Sequence, residues 1–336
     1  MKYILITDTH FGLQNDSKEF HENMKLFFND IFFPYIEKND IDGIIHLGDV
    51  FHSRKKIDTD TLTNAKEYFF KPLEKTGLRM DIILGNHDIY YKNSSSVNTP
   101  KLVLSEYKNI TVHEEAAVID NILLLPWIHK NNAEATYKII KSSKETVLMG
   151  HLELAGFKLN KAQTAKYGMK SKIFSKFEKV FSGHYHTKSS KDNITYLGAP
   201  TQHTWIDVDD QKGFHVFDSN TLELTFIKNP HTMFENVYYE NEDIDFSKFK
   251  NKMIKLHSSG IESRTHYDKT VSSLEEMGYN IKASETKSSV SDIELSNVEV
   301  EDTSDIIKEY IVAMDDIRHE EVHKIIDEIY LEAMSI

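Results

Sequence analysis

Five times in the first 186 residues, a short apolar run ends in side chains that can ligate a metal ion. YILIT leads into Asp8, Thr9 and His10, and GIIHL into Gly48 and Asp49. MDIIL leads into Gly85, Asn86, His87 and Asp88, TVLM into Gly150 and His151, and KVFS into Gly183, His184, Tyr185 and His186. Between these runs lie stretches with helical spacing, notably residues 19–38 and about Thr59 to Lys75. Strands alternating with helices predict a layered α/β sheet, and such sheets place their sites at the carboxyl edge of the strands. All five endings should gather there. The glycines allow the sharp turns that bring side chains close. Asp, Asn and Gly are also turn residues, so any one ending could be a turn. Five in series, each after a strand, point to a metal site.

In the GHYH segment, strand geometry sends residues i and i+2 to the same face, so His184 and His186 can lean toward one region. The chain has 17 histidines and no cysteine, which excludes disulfides and thiolate zinc sites. Imidazole, carboxylate and carboxamide donors suit Mn²⁺, Fe²⁺ or Zn²⁺ better than Mg²⁺ or Ca²⁺. Further on, ITYLGAPT, GFHVFD and LELTFIK read as closing strands without intervening helices. The fold class expected is therefore α/β, with mixed sheets packed as a sandwich between helices.

After Pro230 the texture changes. FENVYYE, KMIKLHSSG and YNIKASE are short strand candidates around one helix, about Ser263 to Glu276. The organisation expected is a catalytic domain over 1–229, a small α+β domain over 230–283, an acidic serine-containing linker over 284–302 and amphipathic helices over 303–336. The formal charge of −13 is uneven. Residues 284–336 hold 15 acidic and 4 basic side chains, leaving 38 and 36 in the body. Ala155 to Asp192 carries nine lysines against Glu178 and Asp192. That stretch is either a solvated face or a contact for a phosphate backbone. No apolar run approaches a membrane span, and the N-terminus reads as a first strand rather than an export signal, so a cytoplasmic protein with no membrane partner is expected.

The order DTH, GDVFH, GNHD, GH, GHYH resembles the calcineurin-like metallophosphoesterases over roughly the first 200 residues. GDVFHSRK, PWIHK, GHLELAGF and SGHYHT are similar to the SbcD-type double-strand-break repair nucleases, the family that includes the meiotic-recombination-eleven proteins. The chain length and the tail, IIKEYIVAM and EIYLEAM, resemble the recombination endonuclease subunits of T-even-like bacteriophages. The resemblance implies a four-layer α-β-β-α sandwich with a DNA-capping domain. It also implies two Mn²⁺ ions, with Mg, Fe or Zn as substitutes. A pair of ions can polarise a phosphodiester and generate hydroxide at neutral pH.

By motif, Asp8, His10 and His186 would hold one ion, Asn86, His151 and His184 the other, and Asp49 would bridge. His87 would stabilise developing charge and protonate the leaving 3′-oxygen. Asp88 would orient His87, with helix capping as the alternative. His52 would line the DNA side, unless it is an exposed loop histidine. Arg54, Lys55 and Lys56 would meet phosphates, or form a solvated turn. His46 reads as a packed histidine, while His113, His129 and His203 lie outside the motifs. The partners implied are DNA ends, single strands or hairpins, an SMC-like ATPase of the SbcC type docked on residues 303–336, and a second copy of the chain. Thr61–Phe70 and Ser94–Tyr107 are candidate dimer surfaces, with core packing as the alternative for both. The implied function is exonuclease and endonuclease action in phage recombination, repair and recombination-dependent replication. A protein phosphatase or cyclic-nucleotide phosphodiesterase would share the metal motifs but needs neither the appendage nor the tail.

Overall fold

The computed structural model describes residues 1–239, 245–259, 264–277 and 280–286. The chain divides into two compact units at Met233 and Phe234. In the first unit the strands are β1 Lys2–Ile6, β2 Gly43–His46, β3 Met80–Ile83, β4 Ile89–Tyr91, β5 Ser94–Asn98, β6 Ile110–His113 and β7 Ala117–Ile119. They continue as β8 Ile122–Leu125, β9 Val147–His151, β10 Lys179–Gly183, β11 Ser189–Lys191, β12 Ile194–Tyr196, β13 Gly213–Asp218 and β14 Glu223–Lys228.

Two six-stranded sheets result, in the orders β14-β13-β1-β2-β3-β6 and β11-β12-β10-β9-β8-β7. The central pairings β1 with β2, β2 with β3, β8 with β9 and β9 with β10 are parallel. The outer pairings of β13 and β7 are antiparallel, so both sheets are mixed. Tyr3, Leu5, Ile45, Leu47 and Ile83 of the first sheet meet Ile122, Leu124, Met149 and Phe181 of the second in a buried apolar interlayer. The other face of each sheet is covered by helices. The observed sandwich is the one expected from the sequence.

The helical cover of the first sheet is unusually aromatic. Phe11, Phe27, Phe28, Phe32, Phe51, Phe69 and Phe70 are all buried there. Each of its two long helical runs contains one π-helical turn, Phe28–Phe32 and Lys66–Phe70. Each turn is followed by a proline in the next α-helical segment, Phe33–Lys38 or Lys71–Thr76. Proline has no N–H for the carbonyl four residues back. The ladder widens instead, with Phe33 N–H bonded to Phe28 O and Lys71 N–H to Lys66 O. Tyr68, Phe69 and Phe70 face this core, so much of Thr61–Phe70 is core packing rather than free surface. Val97 and Leu102, in the other candidate dimer segment, are exposed, as are Tyr90 and Tyr91.

Residues 230–233 belong to the first unit. Asn23 Nδ2 donates to Thr232 O at 3.3 Å, and Met233 N–H donates to Gln202 Oε1 at 2.7 Å. The division therefore falls four residues later than the sequence texture suggested. The second unit holds a parallel sheet of β15 Phe234–Tyr239, β16 Met253–Ser259 and β17 Asn280–Thr286, in that order. The helix Arg264–Glu276 packs Tyr267 against Ile254 and Leu256. The first three residues expected in the linker, Ser284 to Thr286, pair in β17 with β16. The remainder of the linker and the helices expected over 303–336 lie outside the described residues. Among the described residues no helix is long and apolar enough to cross a membrane.

Candidate metal centre

β1, β2 and β3 of one sheet and β9 and β10 of the other end at the same edge, and hydrogen bonds cross between the sheets there. His184 N–H donates to the Asp8 carboxylate at 3.1–3.2 Å, and Trp127 N–H donates to Leu84 O at 2.7 Å. His151 Nδ1 lies 2.7 Å from Leu47 O. Asp8, His10, Asp49 and His184 all adopt positive φ, from 43° to 87°. Such conformations cost free energy in residues with a Cβ and cluster where function needs them. Gly48, at φ 94°, and Gly85 are the joints of this arrangement. A Cβ on Gly48 would lie 2.7 Å from the His151 ring, and one on Gly85 would overlap the Asp49 carboxylate.

Asp49 is central and 1% exposed. Its Oδ1 accepts from His87 N–H at 2.7 Å. Its Oδ2 lies 3.6 Å from His10 Nε2 and 3.3 Å from His151 Nε2. On the His10 side, Asp8 Oδ1 is 3.9 Å from His10 Nε2 and 3.8 Å from His186 Nε2. On the His151 side, Asn86 Oδ1 is 3.1 Å from His151 Nε2 and 2.9 Å from His184 Nδ1. The structure thus brings together all seven residues named from the motifs, in two groups that share Asp49.

Burial pushes the Asp8 carboxyl up to about 7, and the nearby Asp49 charge adds to this. Burial pushes Asp49 up as well, but His151, His87 and His10 outweigh it and hold that carboxyl well below its usual range. Burial also drives His10 well below 6.5. Its Nε2 is buried without a hydrogen-bond partner although two carboxylates lie within 4 Å. A buried imidazole nitrogen that no protein group uses, beside buried carboxylates, suits a divalent cation. The residues present fit such an ion on both sides of Asp49.

The surrounding residues differ from expectation in three respects. Asp88, fully buried, does not orient His87. Its Oδ2 accepts from the N–H of Asp49 and of Gly85, each at 2.8 Å, and its Oδ1 from Val50 N–H at 2.9 Å. No helix follows it to be capped, since β4 begins at Ile89. His87 is positioned instead by its Nδ1, which donates to His52 O at 2.6 Å. His203, unassigned from the sequence, lies 1% exposed beside His186.

The His52 ring stacks on His87 with centroids 5.5 Å apart and also reaches His10 Nδ1 at 3.3 Å. Arg54 is half-buried with its Nε unpartnered, whereas Lys55 and Lys56 are exposed. His46 is fully buried, 3.1 Å from Thr9 Oγ1, as a packed histidine would be. Trp127, from the PWIHK segment, places its ring 5.1 Å from that of His184. Of the lysines between 155 and 192, Lys176 caps the carbonyls of Lys141 and Ser143, and Lys188 lies over the Phe226 ring. Those two are structural, while Lys158, Lys170 and Lys172 are exposed.

Comparison with known proteins agrees with this geometry. The chain is 30% identical to exonuclease subunit 1 of Enterobacteria phage T4, over 99% of both chains. It is 24% identical to the D component of the SbcCD nuclease of Staphylococcus epidermidis, over 76% of this chain and 78% of that one. It is 26% identical to putative phosphoesterase 078R of Invertebrate iridescent virus 3, over 60% and 58%. Residues 1–188, which contain both groups around Asp49, match the family of calcineurin-like phosphoesterases, and the chain belongs to that family.

Proposed function

We propose that the chain is a Mn²⁺-dependent DNA nuclease. It would act as an exonuclease on duplex ends and as an endonuclease on single strands or hairpins. It would serve as the nuclease subunit of an SbcCD-type complex in phage recombination, repair and recombination-dependent replication. The observation that carries this reading is the place of Asp49 between two imidazole groups, with half-buried His87 beside it. The full-length likeness to a phage exonuclease subunit favours DNA over a phosphomonoester or a cyclic nucleotide.

Asp8, His10, His186 and Asp49 would hold one cation, and Asn86, His151, His184 and Asp49 the other. When bound, such a pair supplies positive charge at the phosphoryl group and a nucleophilic water. The N–H of His87 occupies Asp49 Oδ1, so Oδ2 is the oxygen left to face both groups. The Nδ1 hydrogen of His87 is committed to His52 O, which leaves Nε2 for the substrate. When doubly protonated, that ring gives its Nε2 proton to the departing 3′-oxygen. His52, stacked on His87, and the basic Arg54, Lys55 and Lys56 would position the strand. The second unit would cap the DNA, residues 303–336 would bind an SMC-like ATPase of the SbcC type, and the active assembly would contain two copies of the chain.

The test is substrate choice. The wild-type protein with Mn²⁺ should degrade linear duplex DNA far faster than it hydrolyses p-nitrophenyl phosphate esters. His87→Ser should keep both Mn²⁺ ions by elemental analysis and lose cutting. Hydrolysis of small esters without DNA degradation would replace this reading with a phosphatase or cyclic-nucleotide phosphodiesterase.

A further inference from the structure

An imidazole that ligates an ion through one nitrogen must be held through the other, because ring orientation and tautomer are otherwise free. The centre shows this for three histidines. His151 directs Nε2 to Asp49 and holds Nδ1 on Leu47 O. His10 directs Nε2 to Asp49 and Asp8 and holds Nδ1 against His52. His186 directs Nε2 to Asp8 at 3.8 Å, and its Nδ1 lies 3.2 Å from the Nδ1 of His203.

We infer that His203 is the positioning residue for His186, accepting the hydrogen of His186 Nδ1 on its own Nδ1 so that the His186 Nε2 lone pair stays directed at the ion. This rests on the metal reading above. Two facing Nδ1 atoms share one hydrogen. If His203 donated it, the hydrogen of neutral His186 would sit on Nε2 and block ligation. The opposite assignment puts a hydrogen on His203 Nε2, a buried atom without a hydrogen-bond partner, and the direction of His186 Nε2 toward the ion must outweigh that cost.

The surroundings hold His203 for this role. Its N–H donates to Asp207 Oδ2 at 2.8 Å, and its carbonyl accepts from Gln14 Nε2 at 3.3 Å. Lys212, 3% exposed, donates to Asp207 Oδ1 at 2.7 Å, to Asp210 Oδ2 at 2.9 Å and to the carbonyl of His186 at 2.8 Å. One buried ammonium thus ties the loop that carries His203 to the backbone of the residue His203 faces. A buried lysine is costly unless it is fully paired. Here its three donors are all used, and they fix the distance between two imidazoles.

The experiment is a Mn²⁺ titration of the full-length protein followed by electron paramagnetic resonance, comparing wild type, His203→Phe and His203→Gln. His203→Phe keeps a ring but no acceptor and should weaken one of two sites by about 10–100-fold, leaving the other unchanged. His203→Gln restores an acceptor and should recover most of that loss. Native affinity at both sites in His203→Phe, or equal loss in both variants, overturns the inference. In the unaltered protein, ¹⁵N resonances should place the His186 hydrogen on Nδ1. A hydrogen on Nε2 overturns the inference even where a variant does not fold. Wild-type protein that binds no Mn²⁺ would remove the metal reading and this inference together, whereas two bound ions with an indifferent His203→Phe would remove this inference alone.

Discussion

The carboxylate of Asp88 lies behind Asp49 and accepts its backbone N–H at 2.8 Å. The loop after β3 thereby fixes the conformation of the loop after β2, and the central Asp49 keeps its positive φ. Asp88→Asn is isosteric but must turn an NH₂ toward at least one of three buried N–H groups. It should cost about 1–3 kcal/mol of stability and weaken metal binding on both sides of Asp49. Urea denaturation and Mn²⁺ titration measure the two effects. A variant with native metal affinity would show that Asp49 does not depend on this support.

Most of the centre was legible in the sequence, because its residues come after apolar runs and the carboxyl edge of a sandwich gathers the ends of its strands. Asp8, Asp49, Asn86, His151 and His184 could be placed in this way. His203 could not. It lies in a loop after LGAPTQ, and long-range contacts that leave no sequence pattern, the Lys212–Asp207 pair among them, fold that loop back onto His186. The partner of Asp88 was equally hidden, since a carboxylate that binds backbone N–H groups leaves no pattern in the residue types it serves. The widened helical turns had a visible cause in Pro34 and Pro72, but proline alone does not distinguish a kink from a π turn.

His215 should produce an acid limb in stability. It is 4% exposed on β13, and its Nδ1 has no partner. Burial, with a smaller contribution from Lys188, pushes its pKa from 6.5 down to about 3. The unfolded chain therefore takes up a proton in this interval that the folded chain refuses. Stability from this group is complete above about 6.5 and falls as pH drops toward about 3, with a slope approaching 1.4 kcal/mol per pH unit. Denaturant unfolding between pH 4 and 7 should be measurably flatter in His215→Phe than in wild type. Equal slopes would mean that His215 is accessible to protons in the folded protein.

The tail should be separable from the chemistry. Every residue placed in or behind the centre lies at or before Lys212, and the acidic, helically spaced sequence over 303–336 is ill suited to DNA. An apolar stripe needs a protein surface to cover it. Deletion of 303–336 should leave Mn²⁺-dependent cutting nearly intact and abolish co-purification with an SbcC-type ATPase. Loss of basal cutting would assign the tail to the catalytic body.

Asp49 and His186 should differ in what their removal empties. Asp49 Oδ2 faces an imidazole of each group, at 3.6 Å and 3.3 Å. In the cluster of Asp49, His151 and His184, Asp49 is the one carboxylate, and Asn86 supplies a neutral oxygen beside it. On the proposed reading, Asp49→Ala removes a ligand from both positions and the counter-charge from one of them. His186 touches only the Asp8 side, and its side chain is 26% exposed, so water can fill the space it vacates. His186→Ala should weaken one Mn²⁺ position by about 10–100-fold and leave the second near its native affinity, whereas Asp49→Ala should bind neither ion at concentrations that saturate the wild type. Calorimetric titration with Mn²⁺ resolves the two stoichiometries. Equal stoichiometry in the two variants would contradict a shared Asp49 and would mean that the two groups hold their ions independently.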